Sequence, residues 1–166
     1  RPLSSEEVAE LSAHVASDPV HVWNKLRLGI HYGQIAAPDR AQELFAEILA
    51  EDPGHLDTRL AWAAMHAGEG SLDQALAQFE HARHHDSCDA RVLFGLGYCY
   101  ERQGQIDAAL NAYLEGKNYQ PYLPQHSQRC AAIYLYRQQY DKAIEQCRQL
   151  VSEHPEDGFN YVMLGQ

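Results

Sequence analysis

The chain has 166 residues, enough for one globular domain or a short solenoid and too few to favour two independent domains. Its 45% hydrophobic and 22% charged residues separate it from disordered chains, which lack the apolar surface to offset the entropy of ordering. Thirteen basic against 23 acidic side chains leave a formal net charge of -10, a field that repels phosphate backbones and anionic headgroups, and no apolar stretch approaches the roughly 18 residues of a membrane span. Nucleic-acid binding, membrane-surface binding and membrane insertion are therefore poor fits, and the chain is expected to be soluble.

Residues 1–21 predict an N-terminal helix, the remnant of a preceding repeat: Ser4-Ser5-Glu6-Glu7 reads as a capping box, Val8, Leu11 and Val15 form one stripe, and Pro19 stops it. From there the sequence repeats every 34 residues with no insertion, at 22–55, 56–89, 90–123 and 124–157. The first unit carries Leu28, Gly29 and Tyr32, then Pro38-Asp39, then Ala41, Phe45 and Pro53. In the second the same columns hold Trp62, Ala63, His66, a Gly70-Ser71-Leu72-Asp73 turn, Ala75 and Phe79, with Ser87 in place of the proline. The third has Leu96, Gly97, Tyr100, Gly104-Gln105-Ile106-Asp107, Ala109, Tyr113 and Pro121, and the fourth has Cys130, Ala131, Tyr134, Gln138-Gln139-Tyr140-Asp141, Ala143, Cys147 and Pro155. Residues 158–166 begin a fifth unit in phase, with Leu164-Gly165 in the large and small columns. A chain that begins at Arg1 and ends inside a unit reads as a piece or trimmed form of something longer.

Positions three and four apart share one face of a helix, and a breaker between two such stripes makes each unit a pair of antiparallel helices. The small columns let the two helices approach closely. The pattern Leu-Gly-x-x-Tyr, Ala-x-x-x-Phe, Pro at this period resembles the tetratricopeptide repeat family. That family's early Trp is replaced by Lys25, Arg59, Leu93 and Ser127. The resemblance implies an all-α fold, a right-handed α-solenoid whose first helices line a concave groove that holds a peptide or helix of a partner protein.

By that resemblance the groove columns hold Trp23, Leu26, Ile30, Leu60, Ala64, Arg91, Phe94, Tyr98, Arg102, Gln128, Arg129 and Tyr136, an apolar and aromatic set with a few arginines. Aromatic and Arg side chains carry much of the energy of protein interfaces, which puts Tyr98 and Arg91 first and suits a peptide with apolar anchors and an acidic group near Arg91, Arg102 or Arg129. The plainer reading of Leu26, Ile30 and Leu60 is packing between adjacent first helices. The Lys and Asn that clamp acidic tails in one branch of the family are replaced here by Leu26, Ile30 and Ala61, and the Asn ladder of another branch is absent.

His81, His84, His85 and Cys88 form the densest group of metal-capable side chains, but no second pair stands at the spacing of a structural zinc site, so no metal and no cofactor are expected. Cys88, Cys99, Cys130 and Cys147 contain no Cys-x-x-Cys pair; the default is burial as small hydrophobes, with a Cys130–Cys147 disulfide left open. Free thiols suit a reducing cytoplasm, although four cysteines do not fix a compartment. No nucleophile elbow, phosphate loop, acid pair in a pocket or His-Glu-x-x-His is present, and Glu51 and Asp52 end a helix beside Pro53, so an enzyme is not expected. The expected function is a protein-interaction scaffold. The alternatives are the repeat region of a larger enzyme or secretion component, and a homo-oligomerisation module using the open C-terminal edge.

Overall fold

Apolar residues at spacings of three and four are buried together only when the backbone coils at 3.6 residues per turn, and it does so in each element of the described residues. The computed structural model describes residues 3–17, 21–85, 88–158, 160, 161 and 165, which leaves Pro19, Ser87 and Leu164 outside it. Among the described residues there are nine α-helices and no strand: α1 (Ser5–Ser17), α2 (Val22–Gln34), α3 (Pro38–Glu51), α4 (Leu56–Gly68), α5 (Leu72–His85), α6 (Ala90–Arg102), α7 (Ile106–Tyr119), α8 (Pro124–Tyr136) and α9 (Tyr140–Glu153). The architecture is an all-α repeat of helix pairs. The first helices begin at Val22, Leu56, Ala90 and Pro124 and the second at Pro38, Leu72, Ile106 and Tyr140, each in steps of 34 residues.

The turns repeat as strictly as the helices. Each first helix is followed by a residue with positive φ, Ala36 (56°), Gly70 (82°), Gly104 (76°) and Gln138 (58°). A left-handed residue costs a side chain steric energy that glycine escapes, so the two glycines fit this path and Ala36 and Gln138 hold it under strain. Proline opens α3 and α8, where its missing N–H leaves no helical bond unmade. The capping box at α1 is reciprocal: Ser4 N–H donates to Glu7 Oε2 at 2.7 Å and Glu7 N–H to Ser4 Oγ at 3.2 Å.

The helices gather into two compact units, Arg1–Asp86 and Ser87–Gln166, where the sequence favours one continuous domain or solenoid. Repeats bury most of their surface against immediate neighbours, so contacts cluster locally. In the first unit α2 packs on α1, α3 and α4, and α4 on α3 and α5. Its core joins Leu26, Ala41, Phe45 and Ile48, with Val22, Tyr32, Ala61, Trp62 and Met65 packed against it. Lys25, where the family carries Trp, is buried; its stem serves as apolar filling while Nζ reaches Glu47 at 2.9 Å and Glu51 at 3.8 Å on α3. Arg59 uses the same column differently, donating to the Pro53 carbonyl and to Gln78.

In the second unit α7 lies between α6 and α8, and α9 closes on α8. The core is Ala109, Leu110, Tyr113, Cys130, Ile133, Tyr134 and Ala143, with Ala131 on Cys147 beside it. No disulfide joins the four cysteines, and Cys99, Cys130 and Cys147 are buried. The Cys130–Cys147 disulfide left open by the spacing is therefore not formed; each thiol fills a column that bulky residues occupy in other repeats. Lys117 of α7 ties down α9 by donating to Gln146 Oε1 and Gln149 Oε1, both at 2.7 Å.

Candidate functional site

The surface that the first helices present differs between the two units, and side-chain size decides how. In the first unit α2 and α4 lie side by side, and their facing positions are small: Gly29 and Gly33 on α2, Ala61, Ala64 and Gly68 on α4. Without side chains to fill the space, a cleft of about 660 Å³ remains, bounded by Ile30, Met65, Phe45 and Pro38, with Gln34, Ala36 and Glu69 at one end. Phe45 presses on Gly29 so closely that a Cβ there would stand 2.6 Å from its ring, and Met65 covers Gly33, whose Cβ would meet Cγ and Sδ at 3.3 Å. Two of the expected groove residues, Ile30 and Ala64, line this cleft. Trp23 is 57% exposed and meets His55 edge-on, and Leu60 is half-buried. Leu26 is 3% exposed and packed within the α2–α3 core.

In the second unit the comparable positions on α6 and α8 are occupied by side chains that partner one another. Arg129 of α8 forms an ion pair with Glu101 of α6, Nε donating to Oε2 at 3.2 Å and Nη2 to Oε1. The Tyr113 hydroxyl donates to the same Oε2 at 3.1 Å. Burial first, and the Glu101 charge second, push the Tyr113 hydroxyl up, and the hydrogen bond to Glu101 holds Arg129 all the more firmly protonated. Arg91 is likewise engaged, its Nη2 donating to Asp89 Oδ2 at 2.7 Å. Burial raises the Asp89 carboxyl, but hydrogen bonds and charge from Arg91 outweigh that and bring it below the usual carboxylate range. Arg102 lies over the Tyr98 ring and donates to its hydroxyl at 2.8 Å. Two of the three arginines expected to receive an acidic group thus already pair with carboxylates of the chain.

Phe94 turns inward, meeting Tyr113 and His126 at ring-centre distances of 5.5 and 5.4 Å, so it serves the core more than the surface. Gln128 donates to Asn160 Oδ1 at 3.1 Å and is held by the segment after α9. Tyr136 is 80% exposed. His81, His84, His85 and Cys88 are all exposed, and among the described residues no group of three or more His, Cys, Asp or Glu side chains is brought together as a metal site. The sequence reading missed Gly33, Met65, Gly68 and Glu69 of the cleft; runs of small residues in the groove columns were the signal that could have found the two glycines.

Helix pairs that recur every 34 residues define a class, the helical-repeat proteins. Models described as tetratricopeptide repeat match residues 66–122 and 131–157, together half of the sequence. The chain belongs to the tetratricopeptide repeat family, whose members are generally non-catalytic scaffolds, and its repeats support a protein-interaction scaffold in general terms. Among solved structures it is similar to a crystal structure of MamA, with 19% identity, 90% of this chain and 87% of that chain covered, and a TM-score of 0.76. MamA from Desulfovibrio magneticus RS-1 gives 16% identity, 91% and 85% coverage and a TM-score of 0.75. TTC0263, a thermophilic tetratricopeptide repeat protein of Thermus thermophilus, gives 18% identity, 95% and 87% coverage and a TM-score of 0.75. At these identities the likeness is one of fold. No curated protein matches the sequence at a significant level. Among the described residues no helix is long and apolar enough to cross a membrane.

Proposed function

We propose that the chain captures a segment of a partner protein by seating an apolar side chain of that segment in the cleft between α2 and α4, recruiting or assembling the partner without chemistry of its own. The cleft carries this reading: about 660 Å³ of space walled by Ile30, Met65 and Phe45 is large enough for a leucine or phenylalanine, whose burial contributes roughly 1.5–3 kcal/mol. Tyr98, Arg102 and Tyr136 of the second unit are further contact residues, amphipathic groups that retain polar atoms at their tips. Ala64→Phe, at an exposed helical position, fills the cleft from α4. The variant should melt as the wild type does yet lose partners that the wild type retains from a native lysate, identified by mass spectrometry. Identical partners on both proteins would reject the cleft, and their loss with Tyr98→Ala/Arg91→Ala alone would move the site to α6.

A second reading, self-association, is favoured by Tyr140 (56% exposed) and Ile144 (38% exposed), which stand one turn apart on the outer side of α9. Sedimentation at increasing concentration, with Tyr140→Ser/Ile144→Ser as the comparison, tests it; a constant monomer mass in the wild type rules it out.

A further inference from the structure

We propose that the cleft of the first unit selects a segment in which lysine or arginine stands close to the apolar anchor; the inference rests on the reading that this cleft seats an anchor. Among the described residues lining the cleft, Glu69 alone is charged. It is the C-cap residue of α4, and the same end of the cleft is lined by Gln34, the last residue of α2, and by Gly68, the last of α4. The two helices therefore end beside one another. Each helix C-terminus carries about half a negative elementary charge on its last carbonyls, so two negative poles and a carboxylate stand at one end of an apolar cavity. His66 Nδ1 lies 3.6 Å from Glu69 Oε2, beyond hydrogen-bond distance, and the Glu69 side chain remains 38% exposed to an incoming group.

The cation must stand within a few residues of the anchor, because a side chain held against Ile30 and Met65 places its neighbours within lysine or arginine reach of Glu69. An acidic residue in that place would meet both helix ends and the carboxylate as like charge. The formal net charge of -10 acts in the same sense at long range, speeding encounter with basic segments and slowing it with acidic ones. This assigns the first unit a ligand chemistry opposite to the acidic partner that the arginines of the second unit suggested from sequence.

Three acetylated and amidated ten-residue peptides test the rule, each Gly/Ser-rich with a central Phe followed by Lys-Lys, Gln-Gln or Glu-Glu. Met65 is one of two methionines, so its methyl resonance is assigned with Met65→Leu and followed during titration to millimolar peptide. The Lys-Lys peptide should shift the Met65 methyl and bind about two- to fivefold more tightly than the Gln-Gln peptide, with the Glu-Glu peptide weakest. The preference should disappear in Glu69→Gln and shrink in high salt. Equal binding of the three peptides by wild type, or a lysine preference that survives in Glu69→Gln, overturns the charge rule and leaves the cleft as an uncharged anchor site. No movement of the Met65 methyl with any peptide overturns both the rule and the cleft.

Discussion

The ring of Tyr113 on α7 rests directly on Gly97 of α6, so close that a Cβ at Gly97 would stand 2.5 Å from Cε1. Tyr113 is itself fully buried, and its hydroxyl is committed to Glu101, so the ring has nowhere to retreat. Gly97→Ala gains helix propensity but overpacks this contact, and the net effect should be a loss of about 1–3 kcal/mol. Thermal denaturation measures it; an unchanged midpoint would contradict the close approach.

The strained turn residues give a change in the opposite direction. Gln138 and Ala36 adopt the left-handed conformation that Gly70 and Gly104 adopt without a side chain. Gln138→Gly should stabilise by about 0.5–1 kcal/mol, the relief of left-handed strain less the added freedom of the unfolded glycine. A lower melting midpoint than wild type would refute it.

Glu101 accepts from both Arg129 and Tyr113. Glu101→Leu strands a guanidinium and a buried hydroxyl, and since Arg129 remains partly solvated the cost should be about 1–2 kcal/mol, at the lower end of the range for buried pairs. Adding Arg129→Met should recover part of that loss. Urea denaturation of the single and double variants decides it, and additive losses would argue against the pair.

His126 is buried against Phe94 and Tyr113, its Nε2 on the Ala90 carbonyl at 3.1 Å and its Nδ1 without a hydrogen-bond partner. Burial lowers its pKa, partly opposed by the Ala90 bond. The unfolded chain therefore binds this proton more readily than the folded one, so the contribution is fully present above about pH 6.5 and is lost as the pH falls below that value. Melting midpoints should drop as the pH falls below about 6.5, and His126→Gln, whose amide can still donate to Ala90, should show a shallower slope. Equal slopes would remove His126 from the explanation.

Burial pushes the Cys99 thiol up to about 11 and the Cys130 thiol up to about 12, and raises Cys147 as well, while Cys88 is exposed. A thiol reagent at neutral pH should modify Cys88 quickly and the other three only on unfolding. Fast labelling in Cys88→Ser would show that the core columns are open.

The helix register was legible in the sequence because Ala41, Ala75, Ala109 and Ala143 are each at the closest approach of two helices, where any larger residue collides; a buried column of that kind repeats or the fold fails. The site was less legible. Large aromatic and apolar residues in the groove columns pointed to Phe94 and Leu26, yet one column corresponds to about 100° of helix rotation, and a modest error in that angle separates groove from core. The cleft is bounded by small residues; Ala61 and Ala64 were reached through their columns, but a search for interaction-prone residue types passes over Gly33 and Gly68. Arg129 finds its carboxylate 28 residues earlier, on another first helix, at a distance no local spacing announces.

Three residues separate the two helices in every repeat, at 35–37, 69–71, 103–105 and 137–139, and the middle one is always the left-handed residue. Such a chain can change length only in whole repeats. One extra residue placed inside a helix turns everything beyond it by about 100°, swinging its buried stripe toward water, whereas a duplicated block of 34 residues leaves every column in phase.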